Sequence, residues 1–355
     1  MNIPQKILSL LAGASLFTLS SLSAVTTDPV GYVTVTVAAG TDAKFSIPMQ
    51  KSPVFSSAVS SVATGQIDVS GTVPDITTTP HIVIVTTDGG TLEGNWYEVS
   101  SSTATSITVF DDIESDGLTS SDSIKVVPAW TLDTLFPSGG DIPASSDVTN
   151  PVAYVFTNPS AITGINLSSD KSYIYHSGEQ GLAGWYDANN LGGGSQGDVA
   201  LYPDTYITVR NLTGSDASVV LAGSVPADTL ATDVLSASFE ADNQVVNPFP
   251  AGLTLADSNL YLASGGPLGG SADVTNPSDQ LLIYEGAATG LNPSTTKTII
   301  YHTGEQGLAG YYDANNLGAG TQENYVIPAN AALIIRKGAS SAGVTKWRPN
   351  LPYTL

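Results

Sequence analysis

Residues 175–196 read YHSGEQGLAGWYDANNLGGGSQ, and residues 301–322 read YHTGEQGLAGYYDANNLGAGTQ. Eighteen of the 22 positions agree without a gap, at an offset of 126 residues. The same offset relates Asp147-Val148-Thr149-Asn150-Pro151 to Asp273-Val274-Thr275-Asn276-Pro277, Thr163-Gly164 to Thr289-Gly290, Lys171 to Lys297 and Arg210 to Arg336. A unit of roughly a hundred residues present twice is too long for a solenoid, whose repeats run about 20–50 residues. Tandem compact modules are therefore expected. A weaker echo upstream, GTLEGNWYEV at 90–99 against GLAGWYDA at 181–188, points to a divergent relative of the unit in the N-terminal region.

Around these segments the pattern is that of strands. Short runs rich in Val, Ile, Thr and Tyr are bounded by Gly, Pro, Asn and Asp: VGYVTVTV (Val30–Val37), HIVIVT (81–86), SITVF (106–110), SIKVV (123–127), TYITVR (205–210), SVVL (218–221) and ALIIR (332–336). Such runs read as strands. In VTVTV the period of two puts valines on one face and threonines on the other. Residues 231–239 alternate small polar with apolar side chains and read as a strand rather than a short helix. The expected fold is all-β, with tandem β-sandwich or barrel-like modules: a signal peptide over 1–24, an N-terminal β domain over 25–127, and two copies of the unit over 128–246 and 247–355.

Composition narrows the function classes. The chain has 355 residues, 32 acidic against 11 basic side chains, and no cysteine. A net charge of -21 without a basic stripe argues against nucleic-acid binding. Lack of cysteine excludes disulfide scaffolds, thiol catalysis and thiolate zinc sites. At the N-terminus a positive stretch ending at Lys6, an apolar run over 7–19 and small residues over 20–24 make a secretory signal peptide, with cleavage expected after Ser23 or Ala24. The apolar run is too short to span a bilayer and nothing later replaces it, so no transmembrane segment is expected. The chain is read as exported to the periplasm, cell surface or medium.

DPVGYV at 28–33, WTLDTLFP at 130–137, GINLS at 164–168, PDTYITVRN at 203–211 and NPFPAGLTLADSNLY at 247–261 together resemble an uncharacterised family of exported proteins known chiefly from Verrucomicrobia. The resemblance spans nearly the whole exported part of the chain. It departs from the family in the long hairpin segment present twice, where shorter hairpins are usual. The resemblance implies export, a β-rich fold and a bacterial host; the family has no assigned activity, so no catalytic residues carry over.

Three groups of residues could carry chemistry. In the repeated segment His176, Glu179 and Asp187, with His302, Glu305 and Asp313 at matching positions, offer metal ligands if Ser177-Gly178 turns the chain back. Otherwise Gly178, Gly181 and Gly184 serve a long hairpin whose polar groups bond internally. The paired aromatics Trp96-Tyr97, Trp185-Tyr186 and Tyr311-Tyr312 follow glycine turns, and adjacent strand residues face opposite ways. One ring of each pair belongs in a core; the other could form a stacking platform for sugars, or both rings are packed, one under each face of the hairpin. In the acidic loop 111–122, Asp112, Glu114 and Asp116 stand at positions 1, 3 and 5 of a calcium-loop pattern, but Ser123 occupies the place of the bidentate Glu. No cofactor is expected; calcium is the one candidate, and a solvated acidic turn is the alternative reading of the loop.

With His81 the only histidine outside the repeat, no constellation of nucleophile, base and orienting acid is visible. The reading is a secreted or cell-surface structural or interaction protein without catalytic activity, with envelope or matrix proteins as partners. A carbohydrate-binding module contacting surface glycans is the alternative, and a secreted hydrolase a remote one.

Overall fold

The computed structural model describes residues 29–157, 164–285, 290–340 and 342–355; the signal-peptide span 1–24 lies outside the described residues. The fold is all-β, with a closed six-stranded barrel and several open sheets. The first two strands are Val30–Val37 (β1) and Thr41–Ser46 (β2). Six follow as a block: Phe55–Ala63 (β3), Gln66–Val69 (β4), His81–Val85 (β5), Trp96–Ser102 (β6), Ser106–Val109 (β7) and Ser123–Pro128 (β8). Next come Trp130–Thr131 (β9), Ala153–Thr157 (β10), Lys171–Ser177 (β11), Ala183–Asp187 (β12), Ala200–Leu201 (β13), Tyr206–Asn211 (β14) and Ala217–Ser224 (β15). The remainder are Thr232–Ser236 (β16), Ala241–Val246 (β17), Leu253–Thr254 (β18), Gly270–Ser271 (β19), Asp279–Tyr284 (β20), Lys297–Thr303 (β21), Ala309–Asp313 (β22), Val326–Ile327 (β23), Ala332–Lys337 (β24) and Gly343–Trp347 (β25). Within the 231–239 segment Thr232–Ser236 is a strand, and 237–239 leave it in a bend.

Strands β3 to β8 close in the order β3-β4-β7-β6-β5-β8, all neighbours antiparallel, and closure removes the free edges that an open sheet would expose. Inward valines and isoleucines such as Val83, Val85, Ile107, Ile124 and Val126 fill it, together with Tyr97. Register shifts at Val59/Ser61 and Val99/Ser101 mark bulges, which supply the bending that a small barrel needs. Strand β5 is buried on both faces, because Ile82 and Ile84 point out of the barrel onto Leu230, Trp96 and Tyr202.

The other strands form two bodies with one topology. The first has a sheet in the order β12-β11-β10-β14-β2, covered by the pair β1-β15 and completed by β13-β9. The second has β22, β21, β20, β24 and β17 in the same succession, covered by β16-β25 and completed by β18-β23. Each sheet packs its own apolar core, around Trp185 and Val209 in one and around Trp347 and Ile299 in the other.

Strand pairing thus runs across the spans expected from sequence. β1 and β2 lie in the assigned N-terminal domain 25–127, yet they pair with β15 and β14. β16 and β17 lie in the assigned first copy 128–246, yet they pair with β25 and β24. The barrel is an insertion between β2 and β9 of the first body, and its closed topology is not that of the other two, so the echo at 90–99 does not mark a third copy. The displaced boundary has a simple cause. Asp42 of β2 and Asp242 of β17 occupy matching places at a spacing of 200, while their partners Arg210 and Arg336 keep the spacing of 126. The inserted barrel makes up the difference, so no single offset aligns the whole unit.

Candidate functional site

The most repeated residues build a hairpin. β11 pairs with β12 with His176 opposite Gly184 and Tyr175 opposite Trp185; β21 and β22 repeat this with His302 opposite Gly310. Gly178, Gly181 and Gly184 all take positive φ, the region where a Cβ is strained, and Gly304, Gly307 and Gly310 follow suit. The loop between them is a single 3-10 turn, Glu179–Gly181 or Glu305–Gly307.

Most polar groups of this hairpin are used within it or on the adjoining loop, while His176 Nε2 and Trp185 Nε1 are buried with no hydrogen-bond partner among the described residues. The buried His176 holds Nδ1 2.8 Å from the Leu182 carbonyl, and His302 holds Nδ1 2.8 Å from the Leu308 carbonyl. His302 Nε2 lies 3.1 Å from the Ala272 carbonyl, so that ring braces two loops. Glu179 accepts from the Ser177 hydroxyl and Glu305 from the Thr303 hydroxyl, and these bonds hold both exposed carboxyls below the usual range. Asp187 pairs with Lys171 at 3.3 Å and Asp313 with Lys297 at 3.1 Å, across neighbouring strands. The Asp147 and Asp273 motifs turn on themselves, each carboxylate accepting from the backbone N–H and the hydroxyl of the Thr two residues on. Gln180 then accepts from the Val148 N–H at 3.2 Å, joining the two repeated motifs.

The expected metal set is therefore not assembled. His176, Glu179 and Asp187 face three different partners, as do His302, Glu305 and Asp313, and no group of three possible ligands converges among the described residues. In the acidic loop Ile113 and Leu118 are buried in the barrel core, Asp111, Asp112, Glu114 and Asp116 are exposed, and the buried Asp122 accepts from the Thr87 hydroxyl and the Thr119 N–H. Asp112 accepts from the Ser115 N–H, Glu114 meets the Thr64 hydroxyl at 3.4 Å, and Asp116 is exposed. The aromatic platform fares similarly. Tyr97, Trp185, Tyr311 and Tyr312 are buried; Trp96 is half-buried and stacked on Tyr202 at 5.3 Å, leaving Tyr186 as the half-buried remainder.

What the sequence reading missed is a reciprocal clamp between the two bodies. On β2 and β14, buried Asp42 accepts from Arg210 Nε and Nη2, both at 2.8 Å. Asn292 of the second body donates its backbone N–H to Asp42 at 2.8 Å and accepts from Arg210 Nη2 at 3.1 Å. In return, Asp242 accepts from Arg336 at 2.7 and 2.9 Å, while Asn166 of the first body donates its N–H to Asp242 at 2.7 Å and accepts from Arg336 at 3.0 Å. The backbone follows: Asp42 N–H reaches the Gly290 carbonyl, and Asp242 N–H the Gly164 carbonyl. Each body lends one loop to the other, the isologous arrangement of a twofold interface built within one chain. Tyr206, Val246, Leu282 and Ile334 pack between them, and Lys44 lies over the Tyr206 and Tyr284 rings at 5.3 and 5.2 Å.

The barrel is fastened to the first body through Trp96 stacked on Tyr202, and to the second body and the segment leading into it through polar contacts. Arg348 donates to the Glu93 carbonyl and the Asn95 side chain, Lys125 pairs with Asp228 at 2.6 Å, and Ala231 N–H reaches the Gly94 carbonyl. Gly94 is required there, since a Cβ would lie 2.8 Å from the Thr229 carbonyl oxygen. Where the three bodies meet, burial, with Asp233 nearby, pushes the Asp204 carboxyl up to about 7. The folded chain holds this proton at pH values where the unfolded chain, with its carboxyl near 3.9, has lost it. Stability from this group is complete below about pH 4 and falls as pH rises to about 7. Asp204→Asn is expected to flatten that fall and to raise stability at pH 8 by about 2 kcal/mol, a discounted share of 1.36 kcal/mol per pH unit because the side chain keeps some water. Urea midpoints of both proteins between pH 4 and 8 measure it, and parallel curves would refute it.

Compared with known proteins, the chain matches no family model, no curated protein and no solved structure.

Proposed function

We propose that this chain is an exported structural or interaction component of a bacterial cell surface or extracellular matrix, without catalytic activity. The observation that carries this reading is the economy of the repeated hairpin: the Nδ1 atoms of its histidines, its carboxylates and its glycines hold the hairpin's own turns, and Trp185 and Tyr311 lie in the cores. A stretch repeated so closely for the sake of shape suits a spacer or display scaffold. The clamp adds to this, because two bodies joined by reciprocal buried ion pairs and an inserted barrel held by both form a stiff unit. Among the described residues no helix is long and apolar enough to cross a membrane, which leaves association with a surface to other contacts.

Cell fractionation with an antibody to the full chain tests the proposal. The protein is expected at high copy in the surface or matrix fraction, and recovery only as a dispersed species in the medium would refute it.

A further inference from the structure

We propose that the outer edge of β1 pairs antiparallel with β1 of a second copy of the chain. β1 pairs with β15 in unbroken register from Val30↔Ser224 to Val37↔Ala217. Among the described residues, no backbone hydrogen bond joins Val30–Val37 to anything but β15, and the Asn211 side chain caps only the Val37 carbonyl. Alternate residues of this eight-residue strand thus turn a row of open donors and acceptors away from β15. Proteins ordinarily blunt such an edge with a charge, a proline or a bulge. VGYVTVTV has none of these.

The same strand in the second body shows what blunting looks like in this fold. β16 carries Asp233, ion-paired to Lys346. The Asn243 side chain accepts from the Leu235 N–H at 2.6 Å and donates to the Leu235 carbonyl at 3.0 Å, closing the edge that faces away from β25. Ala231, just ahead of the strand, is tied to Gly94 of the barrel. In the first body Ala43 stands where Asn243 stands, and neither the barrel bond nor the charge has a counterpart on β1. One copy of the motif closes this edge and the other leaves it open.

The occupant follows from charge and pattern. On a chain of net charge -21, an uncharged edge favours an uncharged strand, and β1 itself is one of matching length. Antiparallel β1 strands about a twofold axis keep Val30, Tyr32, Thr34 and Thr36 on one continuous face, because only alignments that match faces preserve the buried side. Thr–Thr and β-branched pairs across such a junction are favourable. The junction buries less than the roughly 1,200 Å² of a standard interface, so it is weak in dilute solution and effective where copies are crowded. This extends the structural role proposed above but does not depend on the location of the protein.

Sedimentation of the full chain over a range reaching about 0.5 mM is expected to show a monomer–dimer equilibrium. Thr34→Lys and Thr36→Lys, both at exposed positions, are expected to weaken it at least about tenfold without moving Tm, since like charges then face each other. The absence of cysteine makes Thr34→Cys a unique labelling site. Nitroxides there are expected within about 20 Å in the dimer, as strands about 4.8 Å apart require. A chain monomeric at every concentration, a dimer indifferent to both lysines, or labels farther apart than about 40 Å would overturn the proposal. A dimer found for a protein that fractionates only into the medium would leave this inference standing and refute the surface role.

Discussion

Asp242→Ala is expected to cost about 3–5 kcal/mol of folding stability, a large part of the 5–15 kcal/mol by which a domain is ordinarily folded. The carboxylate is 1% exposed and takes two bonds from Arg336 and one from the Asn166 backbone. Alanine leaves the guanidinium, itself mostly covered, without its counter-ion, and leaves the Asn166 N–H without an acceptor. Removing one partner of a buried pair costs more than the pair contributes, because the remaining charge must stay desolvated. Asp42→Ala is expected to behave alike through Arg210 and Asn292. Asn166→Ala, which keeps both charges and the backbone bond but places alanine at a φ of 55° that asparagine tolerates better, should cost only about 1–2 kcal/mol. Urea unfolding followed by tryptophan fluorescence distinguishes them. A wild-type midpoint for Asp242→Ala would mean that the clamp does not hold the two bodies together.

The halves of this clamp differ in how far the sequence discloses them. Arg210 and Arg336, and the glycines at 164 and 290, recur at the offset of 126 and so mark a shared structural duty. Their acidic partners recur at 200, because a closed barrel separates β2 from β9 while nothing separates β17 from β18. An ion pair whose members obey different offsets is invisible to a search at one offset. Strand content, by contrast, is a local matter of β-branched alternation, and VGYVTVTV, HIVIV and ALIIR lie on strands. The glycine demand of the hairpin was legible for the same local reason. Ligand geometry was not, since whether His176 meets Glu179 or the Leu182 carbonyl depends on how a 3-10 turn directs each side chain. The acidic loop teaches a related lesson: the residues that determine its shape are Ile113 and Leu118, which a pattern of carboxylates ignores.

Trp185→Ala is expected to destabilise the first body by about 3–5 kcal/mol, the usual cost of truncating a buried tryptophan. Trp185 is 0% exposed and contacts Phe136 and Tyr175 at ring separations of 5.8 and 5.4 Å. A cavity there would open where β12 packs on the short helix Leu132–Leu135 and its following turn. The second body has Tyr311 at this place, with its hydroxyl accepting from the Tyr261 N–H at 2.9 Å, so Trp185→Tyr should be tolerated better than alanine, at about 1–2 kcal/mol. Tyr186→Ala, on the half-buried face of the same strand, should cost about 1 kcal/mol or less. This ordering separates a core role from a sugar platform. A platform residue loses retention on a polysaccharide column while Tm stays put, whereas a core residue loses Tm. If Trp185→Ala melts with the wild type and retention vanishes, the hairpin is a binding surface and its ring is not the keystone of a core.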